Sequence, residues 1–239
     1  MRRWFPGTLI AALTLPQAGA AVQDRRFLEA ELAGGGRLTY TLLLPSHGDP
    51  NAAHPTLLLL AGGTQNESMV DAAMAAFVDD EAMRRGWIVV APVAPRGGKL
   101  LHEGHEAAVL ALLDLIESRY RVESGKFHIA GVSNGGKTGF RLALMRPAGF
   151  VSLVGLPAFP PERSDFDQLE RLRSLPVTLF AGERDDWVEA SRATCARLKE
   201  LGGQATLRVV AGDGHQLRSL RGGAEIFDVL EKARRLVRQ

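Results

Sequence analysis

The chain predicts an α/β domain: a mostly parallel sheet flanked by helices, with an antiparallel hairpin at its start. Three observations carry that expectation. Short apolar runs recur along the 239 residues, and most are continuous rather than alternating, as strands covered on both faces should be. Helical patterns separate these runs. The first strands, from Phe27 to Leu44, read instead as a hairpin around Gly34-Gly35-Gly36.

Taken in order, the N-terminus comes first. Arg2 and Arg3 precede an apolar stretch through Leu15, and Ala18-Gly19-Ala20 follows as a small-residue site. This layout predicts a signal peptide over residues 1–20 and a secreted or periplasmic domain over residues 21–239. Pro6 and Pro16 argue against a helix of the mature fold there. Cleavage would remove two arginines and no acids, taking the formal charge from +2 to neutrality. A neutral domain has no electrostatic footprint for nucleic acid or an anionic membrane, and no apolar run reaches spanning length.

After the hairpin, strands are expected at Thr56–Leu60, Trp87–Val93, Phe127–Val132, Phe150–Leu156, Val177–Ala181 and Ala205–Val210. Val109, Leu112, Leu113 and Ile116 mark one helix between them, and Ile226, Leu230, Ala233 and Val237 mark the last. Lys232, Arg234, Arg235 and Arg238 gather near the end of that last helix, where cations are favoured. Cys195, the only cysteine, falls in a helical stretch, Ser191–Leu201, and is expected as a buried thiol. In parallel sheets function sits at the carboxyl ends of strands, so the loops after Leu60, Val132, Ala181 and Val210 hold the candidates.

"HIAGVSNGGKT", His128 to Thr138, fits two incompatible motifs. Gly131 to Thr138 is a complete phosphate-binding loop, with Lys137 for phosphates and Thr138 for magnesium. That reading needs an aspartate ending the next strand, but Phe150–Leu156 runs into Pro157. Such a loop also normally follows an early strand, whereas three or four precede Gly131. Gly131-Val132-Ser133-Asn134-Gly135 is equally a nucleophile elbow, which holds a serine on a strained strand-to-helix turn and needs small neighbours. Gly136 and Gly139 would let the following helix approach the sheet, and Lys137 and Thr138 become helix surface or packing residues.

An elbow makes demands elsewhere: an acid after a later strand, then a histidine after the next. "VTLFAGERDDW" supplies Asp185 and Asp186, and "LRVVAGDGHQL" supplies His215. The N–H of Asn134, at the helix start, can serve a developing oxyanion, and "LLLLAGGTQN" places Ala61-Gly62-Gly63-Thr64 after an early strand for a second donor. Asp186-Trp187-Val188-Glu189 has the form of a capping box, which would leave Asp185 to orient His215.

With these residues in place, the chain resembles the α/β-hydrolase superfamily over nearly all of residues 27–239. More narrowly it resembles compact esterases related to polyhydroxybutyrate depolymerases and feruloyl esterases. Tyr120-Arg121-Val122-Glu123, a polar turn, a strand and then Gly-Val-Ser-Asn-Gly-Gly carry that likeness. The resemblance implies Ser133 as nucleophile, Asp185 as acid and His215 as base, with N–H donors from Asn134 and from Gly63 or Thr64. Ala61-Gly62 stands where the family often has His-Gly, and Glu123 where it usually has Asp. The expected activity is hydrolysis of a small-molecule or polymer-end carboxylic ester through an acyl-enzyme, with no cofactor and no metal. Peptidase activity in the prolyl oligopeptidase manner, and a noncatalytic binding protein on the same scaffold, are the competing readings; oligomeric state stays open.

Other polar residues have plainer readings. His102-Glu103-Gly104-His105 lacks zincin spacing and is expected to open the helix near Glu106. His128, inside a strand, reads as a packed core histidine. Asp213 reads as a turn former in "GDG", with a weaker alternative as the acid. The 20 residues from Pro157 to Pro176 are too few for a large lid domain. Within them, Phe159 and Phe166 either line a pocket or pack a surface helix.

Overall fold

The structure, a computed structural model, describes residues 24–32, 36–45, 52–96, 98–102 and 104–237. The expected signal peptide and Glu103 lie outside these residues, as do Gly34 and Gly35 of the hairpin turn.

Eight strands form one sheet. They are β1 (Asp24–Glu31), β2 (Arg37–Leu44), β3 (Thr56–Leu60), β4 (Ile88–Pro92), β5 (Phe127–Val132), β6 (Phe150–Leu156), β7 (Val177–Gly182) and β8 (Ala205–Val210). Their spatial order is β1-β2-β4-β3-β5-β6-β7-β8. β1 and β2 pair antiparallel from Asp24↔Leu44 to Glu31↔Arg37, and β2 meets β4 antiparallel. Every later pairing is parallel. This is the predicted architecture: an antiparallel start feeding a parallel sheet.

The continuous apolar runs make sense in that setting. All five residues of β3 are buried, and successive side chains enter opposite cores. Leu58 and Leu60 join the core beneath α3 (His105–Arg119), α4 (Asn134–Met145) and α6 (Val188–Glu200). Leu57 and Leu59 join the other core, beneath α1 (Glu67–Phe77) and α7 (Ala224–Val237). At roughly 1.5–3 kcal/mol for each fully buried leucine, this strand anchors both layers. Two short helices are also present among the described residues, α2 (Asp79–Arg85) and α5 (Arg163–Asp167).

Boundaries shift in small, explicable ways. β4 begins at Ile88 because the Trp87 N–H is taken by Ala82 O at 2.9 Å, closing the end of α2. α3 begins at His105, behind Gly104 at φ 81°, one residue before the expected start. His128 is buried as expected and faces the Ser152 hydroxyl at 2.8 Å. Cys195 is buried too, and burial pushes its thiol pKa up. No helix among the described residues is long and apolar enough to cross a membrane.

Candidate active site

Four strand ends converge at one edge of the sheet. β5 ends at Val132, and Ser133 turns the chain into α4 at φ 53°, ψ −117°. That is a left-handed φ for a residue with a side chain, a conformation held only where the surroundings enforce it. The enforcement is visible in the glycines: a Cβ on Gly131 would stand 2.5 Å from Gly135 O, and one on Gly135 would collide with Leu60 O of β3. Helix and sheet approach so closely that the elbow has no other shape to take.

The serine Oγ meets Nε2 of His215 at 2.8 Å, and Nδ1 of that ring meets Asp185 Oδ1 at 3.0 Å. His215 sits in the loop after β8, Asp185 in the loop after β7. Asp185 is buried, whereas the His215 side chain is 43% exposed, so the chain of contacts runs from interior to solvent. The second carboxylate oxygen, Oδ2, is buried and accepts no hydrogen bond among the described residues.

The sequence expectation for Asp186 needs correction. α6 begins at Val188 behind Trp187, which is already αR (φ −89°, ψ −3°) and makes no side-chain cap. No capping box forms. Instead Asp185 Oδ1 accepts the N–H of Trp187 at 2.9 Å, an Asx-type turn, while also facing His215. The Val188 N–H bonds Asp185 O, so the turn is already tightening before Asp186 could act as a cap, and Asp186 points to solvent. Asp213 keeps its turn role: its Oδ2 accepts the Ser219 N–H at 2.9 Å, and its O accepts that of Arg184. His215 Nδ1 faces Asp185 rather than Asp213.

Across from the elbow lies the loop after β3. Gly62 O accepts the Gln65 N–H at 3.0 Å, closing a turn in which Gly63 has φ +59°. The Asn134 side chain donates to Gly63 O at 3.0 Å, tying this turn to the elbow. The backbone N–H groups of Gly63, Thr64 and Asn134 take part in no backbone bond of the described loops. Gln65, fully buried at φ 56°, fixes the turn from behind. Its Nε2 donates to Thr138 Oγ1 at 3.4 Å and its Oε1 accepts the Leu100 N–H at 3.0 Å. Thr138 also donates to Asn134 O at 3.0 Å, so the hydroxyl that the phosphate-loop motif would turn to magnesium is engaged within the protein.

Sequence reasoning missed one neighbour of His215, Trp187. The Trp187 ring meets the imidazole edge-on at 4.9 Å between centroids, and Phe159 meets Trp187 at 4.8 Å. Trp187 lies two residues after the acid, and that proximity was its only signal. The open choice for Phe159 and Phe166 divides: Phe159 stands beside the site, while Phe166 packs from α5 against the core that holds Leu58 and Leu60. His102 and His105 diverge, the first lying 3.7 Å from Glu162 and the second bonding Lys99 O at 2.6 Å.

Such an arrangement can make a hydroxyl nucleophilic: an imidazole accepts its proton, a carboxylate holds the ring, and N–H groups stand ready for developing negative charge. No protein-family model matches the chain, and no curated protein matches it either. Solved structures do. A thermostable esterase superposes with a TM-score of 0.72 at 19% identity, over 88% of this chain and 62% of its own. A protein from Bacteroides ovatus assigned as a dipeptidyl aminopeptidase IV also gives 0.72, at 15% identity, over 88% of this chain and 36% of its own. An S-formylglutathione hydrolase from Agrobacterium tumefaciens gives 0.66 at 18% identity, over 91% of this chain and 97% of its own. The chain has the α/β-hydrolase fold. It spans less than two thirds of the first two of these neighbours and nearly all of the third.

Proposed function

We propose that this α/β-hydrolase-fold chain is a serine hydrolase of carboxylic esters. The observation that carries the reading is the contact chain from Ser133 through His215 to Asp185, set on a strained elbow beside N–H groups that make no backbone bond in the described loops. Ser133 Oγ attacks the ester carbonyl while His215 Nε2 takes its proton. The tetrahedral oxyanion is held by the N–H of Asn134 and by that of Gly63 or Thr64. His215 returns the proton to the leaving alcohol, and water then hydrolyses the acyl-Ser133 ester by the same route in reverse. Asp185 keeps the ring in the tautomer that leaves Nε2 free.

The esterase and hydrolase among the fold neighbours support this reading. So does the short Pro157–Pro176 connection, which adds only α5 and a following 3₁₀ turn and leaves the site open to small or polymer-end esters. A panel of p-nitrophenyl esters of increasing acyl length, with matched p-nitroanilides, tests it. Burst release of nitrophenol from the esters and slow anilide cleavage is the expected result. Faster anilide cleavage would favour a peptidase, and no turnover of either would favour a noncatalytic protein.

A further inference from the structure

Lys137 lies one helical turn beyond Ser133, and its backbone N–H bonds Ser133 O at 3.2 Å. Its ammonium stands 4.3 Å from the centroid of Trp187 and 4.5 Å from that of Phe159. The same Trp187 ring touches His215, so a single indole separates the ammonium from the imidazole. Partial burial disfavours the charged form and pushes the lysine pKa down, and the charge of Lys99 pushes it further the same way.

No carboxylate among the described residues makes an ion pair with Lys137. Asp185, two residues before Trp187, faces His215, and Glu106, Glu162 and Asp165 pair with Arg141, one turn further along α4. The two rings attract the ammonium, but a ring face satisfies none of its three N–H donors in the way an oxygen would. A methionine or leucine would cover the same rings without the desolvation cost. The ammonium thus sits half-buried, without a carboxylate partner among the described residues, one indole away from the imidazole.

We propose that Lys137 is a specificity-determining residue that binds an ionised carboxyl group of the substrate. The substrate class is then an ester bearing a second, free carboxylate: a monoester of a dicarboxylic acid, or a short hydroxy-acid ester with an open acid end. The proposal rests on the ester-hydrolase reading given above and adds the charge of the substrate to it. Catalysis itself stays with Ser133, His215 and Asp185; Lys137 orients the ester by its remote anion and raises kcat/KM for the anionic form.

Matched ester pairs test it. One pair differs on the acyl side, p-nitrophenyl monoglutarate against p-nitrophenyl valerate. The other differs on the alcohol side, the butyryl ester of 4-hydroxybenzoate against that of 4-hydroxybenzamide. The readout is the anionic-to-neutral ratio of kcat/KM, which cancels losses of folded enzyme. In one of the pairs the parent should favour the anionic member, and Lys137→Met should lower that ratio roughly 10- to 100-fold, as expected for loss of a charged hydrogen bond. Lys137→Arg should keep most of it, and added salt should erode it in the parent. Ratios that Lys137→Met leaves unmoved in both pairs overturn the proposal and leave the esterase reading intact. Absence of any Ser133-dependent hydrolysis, with no fluorophosphonate labelling of Ser133, removes both.

Discussion

His128 and His215 each face a serine hydroxyl at 2.8 Å, at opposite ends of the same sheet. His128 lies near the start of β5 and meets Ser152 of β6; His215 lies beyond β8 and meets Ser133, just past the far end of β5. The contacts are alike and the surroundings are not. His128 is 2% exposed and packs on Trp87 at 4.8 Å. Burial, aided by the charge of Arg234, pushes its pKa down to about 3. Among the described residues no carboxylate holds its ring, and its serine lies within a regular strand rather than on a strained turn. His215 has a buried carboxylate behind it, a hydroxyl on a left-handed φ before it, and solvent beside it. A serine–histidine hydrogen bond is thus compatible with packing alone; the carboxylate, the strained elbow and the access turn it into a candidate for chemistry.

Exchanging the serines would break or sharpen that contrast most. Ser133→Ala should lower ester turnover by about 10⁵ or more and abolish fluorophosphonate labelling. Ser152→Ala should leave both intact and cost roughly 1–3 kcal/mol in urea unfolding, since it strands a buried imidazole nitrogen. Labelling that survives Ser133→Ala would place the nucleophile elsewhere. The next largest effect belongs to the carboxylate that His128 lacks. Asp185→Asn should cut kcat by about 10⁴, because the ring loses the partner that fixes its tautomer. A kcat within an order of magnitude of the parent would mean that His215 works as His128 sits, with serine alone.

The contrast also has a pH signature. His128 takes up its extra proton below about pH 6.5 when unfolded and only below about 3 when folded. Between those values the unfolded chain binds the extra proton, so stability present above pH 6.5 is lost as pH falls toward 3. The slope for this one group is about 1.4 kcal/mol per pH unit, a few kcal/mol at most across the window. Urea midpoints of the parent and His128→Gln, measured from pH 7 to 4, should show the steeper acid loss in the parent. Parallel slopes would mean that His128 is hydrated in the folded state.

How far these two regions were legible in the sequence follows from what each depends on. Burial writes itself into composition: the continuous runs of β3, β5 and β6 matched observed strands to the residue, and a histidine amid such a run read as core. The site was legible where backbone sterics restrict the residue type, as with Gly131, Ser133 and Gly135 at the elbow. It was illegible where side chains meet across loops. Trp187, Phe159 and Lys137 come from three different elements, and no periodicity or spacing announces their contact. Gln65 belongs to no motif, yet it joins the turn after β3 to α4 and to Leu100. The N-terminus of α6 misled outright, because a capping-box pattern cannot reveal which residue the helix will start on.

That failure yields the smallest effect and a clean test of how the acid loop works. A true N-cap Asp would make Asp186→Ala cost roughly 1 kcal/mol. Here the turn before α6 is closed instead by the Trp187 N–H on Asp185 Oδ1 and the Val188 N–H on Asp185 O. Asp186 is exposed and holds neither bond. Asp186→Ala should therefore shift stability by less than about 0.5 kcal/mol and leave kcat near that of the parent. Asp185→Asn should show the opposite asymmetry, a large loss of kcat with a modest loss of stability, since an amide oxygen can still accept the Trp187 N–H. Thermal midpoints and kcat for both variants decide it. Destabilisation by Asp186→Ala on the scale of a lost cap would mean that α6 starts earlier in solution. Asp185 would then be released from its local turn, and His215 would be held by a carboxylate on a looser loop.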